Sequence, residues 1–225
     1  MSRHARCTTV LWGDFMTKSK TTTYPARSSR QTGRGRKQRK LWQLWVVLGL
    51  SIIILALLAL VGYPYAKKLA YPLKYEAYIT EYAQANALDP YLVCGVIHTE
   101  SHFDMEAESR VGAIGLMQIM PDTGEWIAKK MSIKDYSQAK LKDPETNIRM
   151  GCWYLKYLMD KFDGDMTLVL AGYNAGPNRV TQWLEDEKYS QDGKLTDIPY
   201  QETEEYVKKV QNAKEMYESY YTLES

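Results

Sequence analysis

The segment Leu41–Val61 constrains this chain more than any other. Its twenty-one residues carry no charge, and only Gln43 and Ser51 are clearly polar. As a helix it spans roughly 31 Å, about the thickness of a bilayer core. Trp42 and Trp45 stand at one end and Tyr63 and Tyr65 at the other, where interfacial aromatics belong. Arg34, Arg36, Lys37, Arg39 and Lys40 precede the run, and Lys67 and Lys68 follow it. The positive-inside rule keeps the N-terminus cytoplasmic and exports everything from about residue 67. The competing explanation is a cleaved signal peptide, whose apolar core is roughly 7–15 residues and ends at a small-x-small site. The run is longer than that, and Tyr63-Pro64-Tyr65-Ala66 is a poor cleavage site. An uncleaved single-pass anchor is the expectation.

The charges divide at the same place. Residues 1–40 hold eleven Lys or Arg against one acid, Asp14, a net of +10. The remainder holds eighteen basic and twenty-six acidic residues, a net of −8. An acidic exported body argues against a nucleic-acid partner, which needs cations to meet phosphates. Residues 1–40, rich in Ser, Thr, Arg and Lys, cannot bury enough apolar surface to fold and are expected to be a disordered cytoplasmic tail. The expected organisation is that tail, a transmembrane helix over 41–62, a linker over 63–73 and a folded domain over 74–222.

That domain is expected to be mostly α. Asp89-Pro90 and Asp143-Pro144 each put an N-cap acid before a proline suited to the first helical position. They predict helices over about 90–103 and 144–162. In the second, Ile148, Cys152, Leu155, Met159 and Phe162 form a stripe facing a core. A helix over 74–86 precedes them. Shorter ones are expected near 116–120, 122–130, 166–173 and 177–184, with a last near 202–221. Alternating β-branched runs, the mark of strands, are missing from the sequence.

Three segments carry possible chemistry. Glu100 shares a helical face with Val93, Val96, Ile97 and Phe103. An acid on an apolar face is costly to charge, so its pKa should rise into the range of a general acid. The bland alternative is a helix-end acid in a salt bridge. Gly112–Pro121 offers two glycines for close backbone approach, with Met117 and Gln118 for soft and amide contacts; a packed turn is its alternative. Ala171–Pro177 places Tyr173 and Asn174 at a helix junction, where they can point into a cleft or simply serve a turn.

Together these segments resemble the lytic transglycosylase family, of the soluble-lytic-transglycosylase type within the goose-lysozyme-like superfamily. Glu100-Ser101, with Phe103, Ser109 and Gly112 downstream, looks like the catalytic motif. Gly115-Leu116-Met117-Gln118 and Tyr173-Asn174-Ala175-Gly176 look like the second and third. Asn147-Ile148, Gly151 and Tyr154-Leu155 resemble the helix between them. Pro199-Tyr200, Glu202-Thr203 and Tyr206-Val207 resemble the closing motif. The resemblance covers about residues 75–210 and implies a lysozyme-like helical domain that cuts the glycan strands of peptidoglycan. It implies Glu100 as the single acid and base, with 1,6-anhydro-muramic acid ends as products. Ser101, Met117, Gln118, Tyr173, Asn174 and Tyr206 would bind or orient around it, Tyr206 fixing the Glu100 rotamer. It implies no cofactor and no metal. Cys94, Glu106 and Glu108 depart from the family's usual residues.

Other classes fit these residues less well. A water-using hydrolase needs a second carboxylate, for which Asp104 and Asp122 are the nearby candidates. A zinc enzyme could use His98 and His102, but zincins place their Glu directly after the first His. Here Glu100 lies two residues from each, about 200° around the helix. A non-catalytic peptidoglycan-binding scaffold has no need of a desolvated acid. In the family fold the helices bearing Cys94 and Cys152 pack together, which leaves both a disulfide and two free buried thiols open.

Overall fold

The computed structural model describes residues 33–223 of the 225-residue chain. The disorder expected of the basic tail falls, over residues 1–32, outside the described residues. The chain divides into two units, residues 1–54 and 55–225.

Helix α1 (Gly33–Leu57) begins eight residues before the apolar run. Arg, Lys and Gln are good helix formers, and extending an established helix is easy. A wide π turn (Leu58–Gly62) then leads into α2 (Tyr63–Ala70). Pro64 cannot donate a hydrogen bond to Leu60 and its ring crowds that carbonyl, so the preceding turn opens instead of breaking. The expected linker 63–73 is therefore helical for most of its length. Lys37–Ala70 as a whole is long and apolar enough to cross a membrane.

The remainder is mostly helical: α3 (Glu76–Ala85), α4 (Pro90–Ser101), α5 (Pro121–Lys130), α6 (Pro144–Lys161), α7 (Met166–Ala175), α8 (Pro177–Glu185) and α9 (Gln201–Tyr220), with a 3-10 turn at Gln138–Lys142. The Asp-Pro starts act as caps. The Asp89 carboxylate accepts the Tyr91 N–H at 2.8 Å, and that of Asp143 accepts the Thr146 N–H at 2.9 Å. A two-residue hairpin, β1 (Ser190–Gln191) with β2 (Lys194–Leu195), turns at Asp192-Gly193. Both turn residues have positive φ, 51° and 74°, as the tight mirror-image turn requires.

Helix α4 is the centre of the domain. Leu92, Val93, Cys94, Val96 and Ile97 are all buried, so it is surrounded rather than laid on a core by one face. It packs along α9, and Gly95 permits the approach: a Cβ there would lie 2.8 Å from the Val210 carbonyl oxygen. Cys94 and Cys152 are both buried and both free thiols. Burial pushes Cys94 up to about 12 and raises Cys152 further, with Cys94 itself contributing to the second shift. The two sulfurs are thus neighbours held in the protonated, unreactive form.

Residues 116–120, expected as a short helix, form a tight loop instead. Ile114 and Ile119 exchange backbone hydrogen bonds of 3.1 and 3.0 Å. Gly115 (φ 78°) and Gln118 (φ 45°) turn the chain between them. Two left-handed residues in four are incompatible with an α-helix. Gly115 also has no room for a side chain, because a Cβ would lie 2.3 Å from the Leu141 oxygen.

Candidate active site

Glu100 lies one residue before the end of α4, which stops where His102 (φ 53°) and Phe103 (φ 64°) enter the left-handed region. The residue keeps a partly exposed edge, yet protein closes around its carboxyl. Burial pushes that carboxyl up to about 7, against a smaller opposing pull from the Tyr206 hydroxyl. Tyr206, on α9, is 6% exposed, and its hydroxyl has no hydrogen-bond partner among the described residues. Its proximity perturbs Glu100, but the pair falls short of hydrogen-bond geometry, so Tyr206 stands near the carboxyl as a potential donor without a made bond. Tyr173 faces Glu100 from α7. Burial first, and the Glu100 charge second, hold the Tyr173 and Tyr206 hydroxyls well above their usual range.

The two tyrosines are not equivalent. The Tyr173 hydroxyl donates to the Met117 carbonyl at 2.8 Å, so towards Glu100 it can only accept. The Tyr206 proton is uncommitted, so it can donate. A protonated Glu100 therefore has an acceptor beside it and an ionised Glu100 has a donor.

A cavity of about 210 Å³ is lined by Tyr173 together with Gln118, Thr123, Tyr154 and Asn174. Gln118 and Asn174 are both held. The Gln118 amide donates to the carbonyls of Ala107 (3.1 Å) and Gly115 (2.9 Å), which offsets the strain of its positive φ. Its oxygen remains free to accept. The Asn174 oxygen accepts from the Thr203 hydroxyl at 2.8 Å, which fixes the amide flip and leaves its NH₂ to donate into the cavity.

The other six expected site residues lie around Tyr173: Gln118 and Asn174 line the same cavity, Glu100 and Tyr206 act on its hydroxyl or on each other, and Ser101 and Met117 tie in the adjoining loop. Two of those six do so with different atoms than expected. The Ser101 side chain is turned away from the cavity and donates to the Leu116 carbonyl at 2.8 Å, tying α4 to the 115–118 loop. The Met117 side chain is fully buried and packs on Gly151, where a Cβ would lie 2.2 Å from the sulfur. Only its backbone serves the site, through the Tyr173 hydroxyl. Ser101 and Met117 therefore support the cavity without lining it.

Sequence reasoning gave little weight to Asn147, Thr203 and Tyr154. Asn147 is fully buried, accepts the Met117 N–H (2.8 Å), and donates to the carbonyls of Ile114 (3.0 Å) and Leu141 (2.7 Å). An Asn one turn into an amphipathic helix, on its apolar side, was the available signal.

Neither candidate for a second carboxylate faces this cavity. Asp104 is exposed and accepts the Glu106 N–H at 3.0 Å, while Asp122 is exposed on a neighbouring cavity. Glu106 and Glu108 lie at the surface against Lys142, at 3.4 and 3.7 Å. His98 stacks on Tyr71, its ring centroid 4.5 Å away, and is 4.7 Å from the His102 ring. Burial, and then His102, lower its pKa to about 4. No group of three or more His, Cys, Asp or Glu among the described residues could hold a metal.

The structure thus gives a helical domain in which one desolvated glutamate neighbours two buried tyrosines. The comparisons make this specific. Residues 77–196, just over half of the chain, match the transglycosylase SLT domain, and the chain belongs to that family. It is 37% identical over 154 residues to a soluble lytic murein transglycosylase of Salmonella typhimurium, covering 67% of this chain and 23% of the relative. It is 27% identical over 166 residues to membrane-bound lytic murein transglycosylase C of Actinobacillus pleuropneumoniae, covering 64% of this chain and 46% of the relative. Among solved structures, an inactive Glu-to-Gln mutant of lytic transglycosylase Slt from Pseudomonas aeruginosa superposes with a TM-score of 0.61 at 34% identity. That match covers 68% of this chain and 25% of the other. The chain thus spans about a quarter of the length of the Salmonella and Pseudomonas relatives.

Proposed function

We propose that this protein is a murein lytic transglycosylase that cleaves the β-1,4 bond between N-acetylmuramic acid and N-acetylglucosamine with Glu100 as its only acid and base. The observation that carries this reading is the Glu100 carboxyl, closed in at the end of α4 and pushed up to about 7 by burial, with no second carboxylate among the residues that line the cavity at Tyr173. Protonated Glu100 donates its proton to the glycosidic oxygen as the bond from C1 breaks. The 6-hydroxyl of the same muramic acid attacks C1, and its proton returns to the Glu100 carboxylate. One C–O bond breaks, one forms, and no water is consumed. The nucleophile belongs to the substrate, so proximity stands in for a second side chain. Tyr206 donates to the carboxylate in the ionised stage, and the free Gln118 oxygen and Asn174 NH₂ hold the sugar and its acetamido group. A Glu-to-Gln change inactivates the Pseudomonas relative, which is the change this mechanism is most sensitive to.

Product analysis tests the proposal. Digestion of purified peptidoglycan by the full chain is expected to release fragments ending in 1,6-anhydro-muramic acid. Reducing muramic acid ends would instead establish a hydrolase using water.

The same reading anchors the enzyme in the cell membrane, N-terminus inside and catalytic domain outside. It rests on the long apolar helix Lys37–Ala70 and on the Actinobacillus relative, named as membrane-bound. The full chain is expected in the membrane fraction after an alkaline carbonate wash, and a reporter fused after Ser225 should be active only outside the cytoplasm. A soluble form beginning near Lys67 would show a cleaved leader instead.

A further inference from the structure

His98 and His102 share a cavity of about 390 Å³ with Tyr71, Thr99, Lys209 and Asn212. The two rings are 4.7 Å apart between centroids. A zinc ion bonded to two imidazoles at about 2.0–2.1 Å in tetrahedral geometry sets their centroids roughly 5 Å apart, so little movement separates this pair from a chelate. The spacing arises where α4 ends. His102 caps the helix at φ 53°, and its N–H donates to the His98 carbonyl at 3.1 Å.

The His98 tautomer is set from behind. Its Nδ1 lies 3.4 Å from the Tyr217 hydroxyl oxygen, whose proton goes to the Pro72 carbonyl at 2.9 Å. With that proton committed, Nδ1 carries the ring hydrogen and Nε2 keeps its lone pair. Ligating histidines are held in this way, one nitrogen hydrogen-bonded and the other bare. Tyr71 stacks on the ring at 4.5 Å and fixes its plane.

The surroundings select the class of ligand. The C-terminal end of α4 carries the negative end of the helix dipole, which favours a cation. The Thr99 hydroxyl donates to the Gly95 carbonyl at 2.8 Å, so its oxygen can accept, and the Asn212 amide offers another neutral oxygen. No carboxylate lines the cavity. Calcium and magnesium, which need oxygen ligands, gain little there, whereas imidazole suits zinc, copper and nickel. Lys209 reaches the wall, but its exposed ammonium is drawn to Glu205 at 3.4 Å.

We propose that His98 and His102 form a two-histidine site for a first-row divalent ion, zinc foremost, completed by water and the Asn212 oxygen. Two imidazoles are fewer than the three or four protein ligands of catalytic and structural zinc sites, so the ion is exchangeable. It joins the last turn of α4 to the left-handed turn that follows and pins the end of that helix. Glu100 lies about 200° around α4 from His98, so the ion takes no part in the chemistry there. The site stands whether or not the chain cuts glycan.

Calorimetric titration of zinc chloride into the full chain in detergent, without a histidine tag, tests it. His4→Ala and Cys7→Ser are present throughout. They remove the remaining histidine and the remaining thiol apart from the buried Cys94 and Cys152. One zinc should bind per chain. Removing even a hydrogen-bond partner of a ligating histidine costs roughly 10–100-fold in affinity, so His102→Ala or His98→Ala should each cost at least roughly tenfold. Zinc should raise the melting temperature of the parent and leave that of either variant unmoved. Copper(II) should bind more tightly than zinc, and its electron paramagnetic resonance should carry the splitting of two nitrogens. Calcium and magnesium should give neither heat nor a melting shift. His102 is exposed, so its replacement reads binding even where His98→Ala loosens the fold. Zinc affinity unchanged by His102→Ala, a copper spectrum with a single nitrogen, or calcium acting as well as zinc overturns the site.

Discussion

Glu100→Gln is expected to abolish glycan cleavage and, at pH 8, to raise the melting temperature. The amide fills the same space but cannot give and recover a proton, and general acid–base catalysis is worth roughly 10²–10⁴-fold. The stability effect follows from the direction of the pKa shift. An ordinary Glu titrates near 4.3, but burial raises Glu100 to about 7. Between those values the folded protein binds more protons than the unfolded chain, so stability falls as pH rises through that window. Gln never ionises and escapes the loss. The melting difference should therefore be small at pH 4, open between about pH 5 and 7, and stay constant above. Activity of the unmodified enzyme should fall with the same alkaline limb near pH 7, since the reaction begins from the protonated acid. Near-normal turnover by Glu100→Gln would remove Glu100 from the mechanism. A melting difference identical at pH 4 and pH 8 would show that its carboxyl is not desolvated.

The helix starts were written plainly in the chain. Asp89-Pro90 and Asp143-Pro144 set α4 and α6 to the residue, because cap and proline act locally. The face shared by Glu100 with Val93, Val96 and Ile97 correctly signalled a desolvated acid, although α4 proved buried on more sides than one stripe implies. Other features lay beyond periodicity. The direction of Ser101 and Met117 depends on the left-handed turns at Gly115 and Gln118, and a motif does not reveal which member points inward. The Asp192-Gly193 hairpin had its turn signal, but strands of two residues leave no alternating pattern. Tyr206 stands 106 residues from Glu100 in the chain, and nothing local joins them; only the resemblance did. The packing of Trp126 on Trp153, Tyr154 and Tyr157 likewise needs α5 to meet α6. The last three share a helix, but Trp126 reaches them only through tertiary packing.

Asn147 should prove the most damaging position to alter outside the cavity itself. Its amide makes three hydrogen bonds to backbone groups of Met117, Ile114 and Leu141, all with no exposure of the residue. Asn147→Ala strands the Met117 N–H and the Leu141 carbonyl in the interior, and takes one of two donors from the Ile114 carbonyl, which keeps the Ile119 N–H. At roughly 1–3 kcal/mol for each buried group left unpaired, and allowing for partial relaxation, the loss is about 3–5 kcal/mol. For a domain of this size that lowers the melting temperature by roughly 10–15 °C. Activity should fall even at temperatures where the variant is folded, because the Met117 carbonyl that holds the Tyr173 hydroxyl is no longer fixed. Asn147→Asp separates hydrogen bonding from volume. It keeps the acceptor for Met117, but presents oxygen where NH₂ met two carbonyl oxygens, and a single acidic proton can satisfy only one of them. The carboxyl must stay protonated to be tolerated, so its folded pKa is raised and its stability is lost as pH rises. Asn147→Asp should therefore melt much lower at pH 8 than at pH 5, whereas Asn147→Ala should show the same deficit at both. Melting curves at the two pH values decide the matter. A deficit below about 1 kcal/mol for Asn147→Ala, or no pH dependence for Asn147→Asp, would mean that the 115–118 loop is held by its own turn and not by this amide.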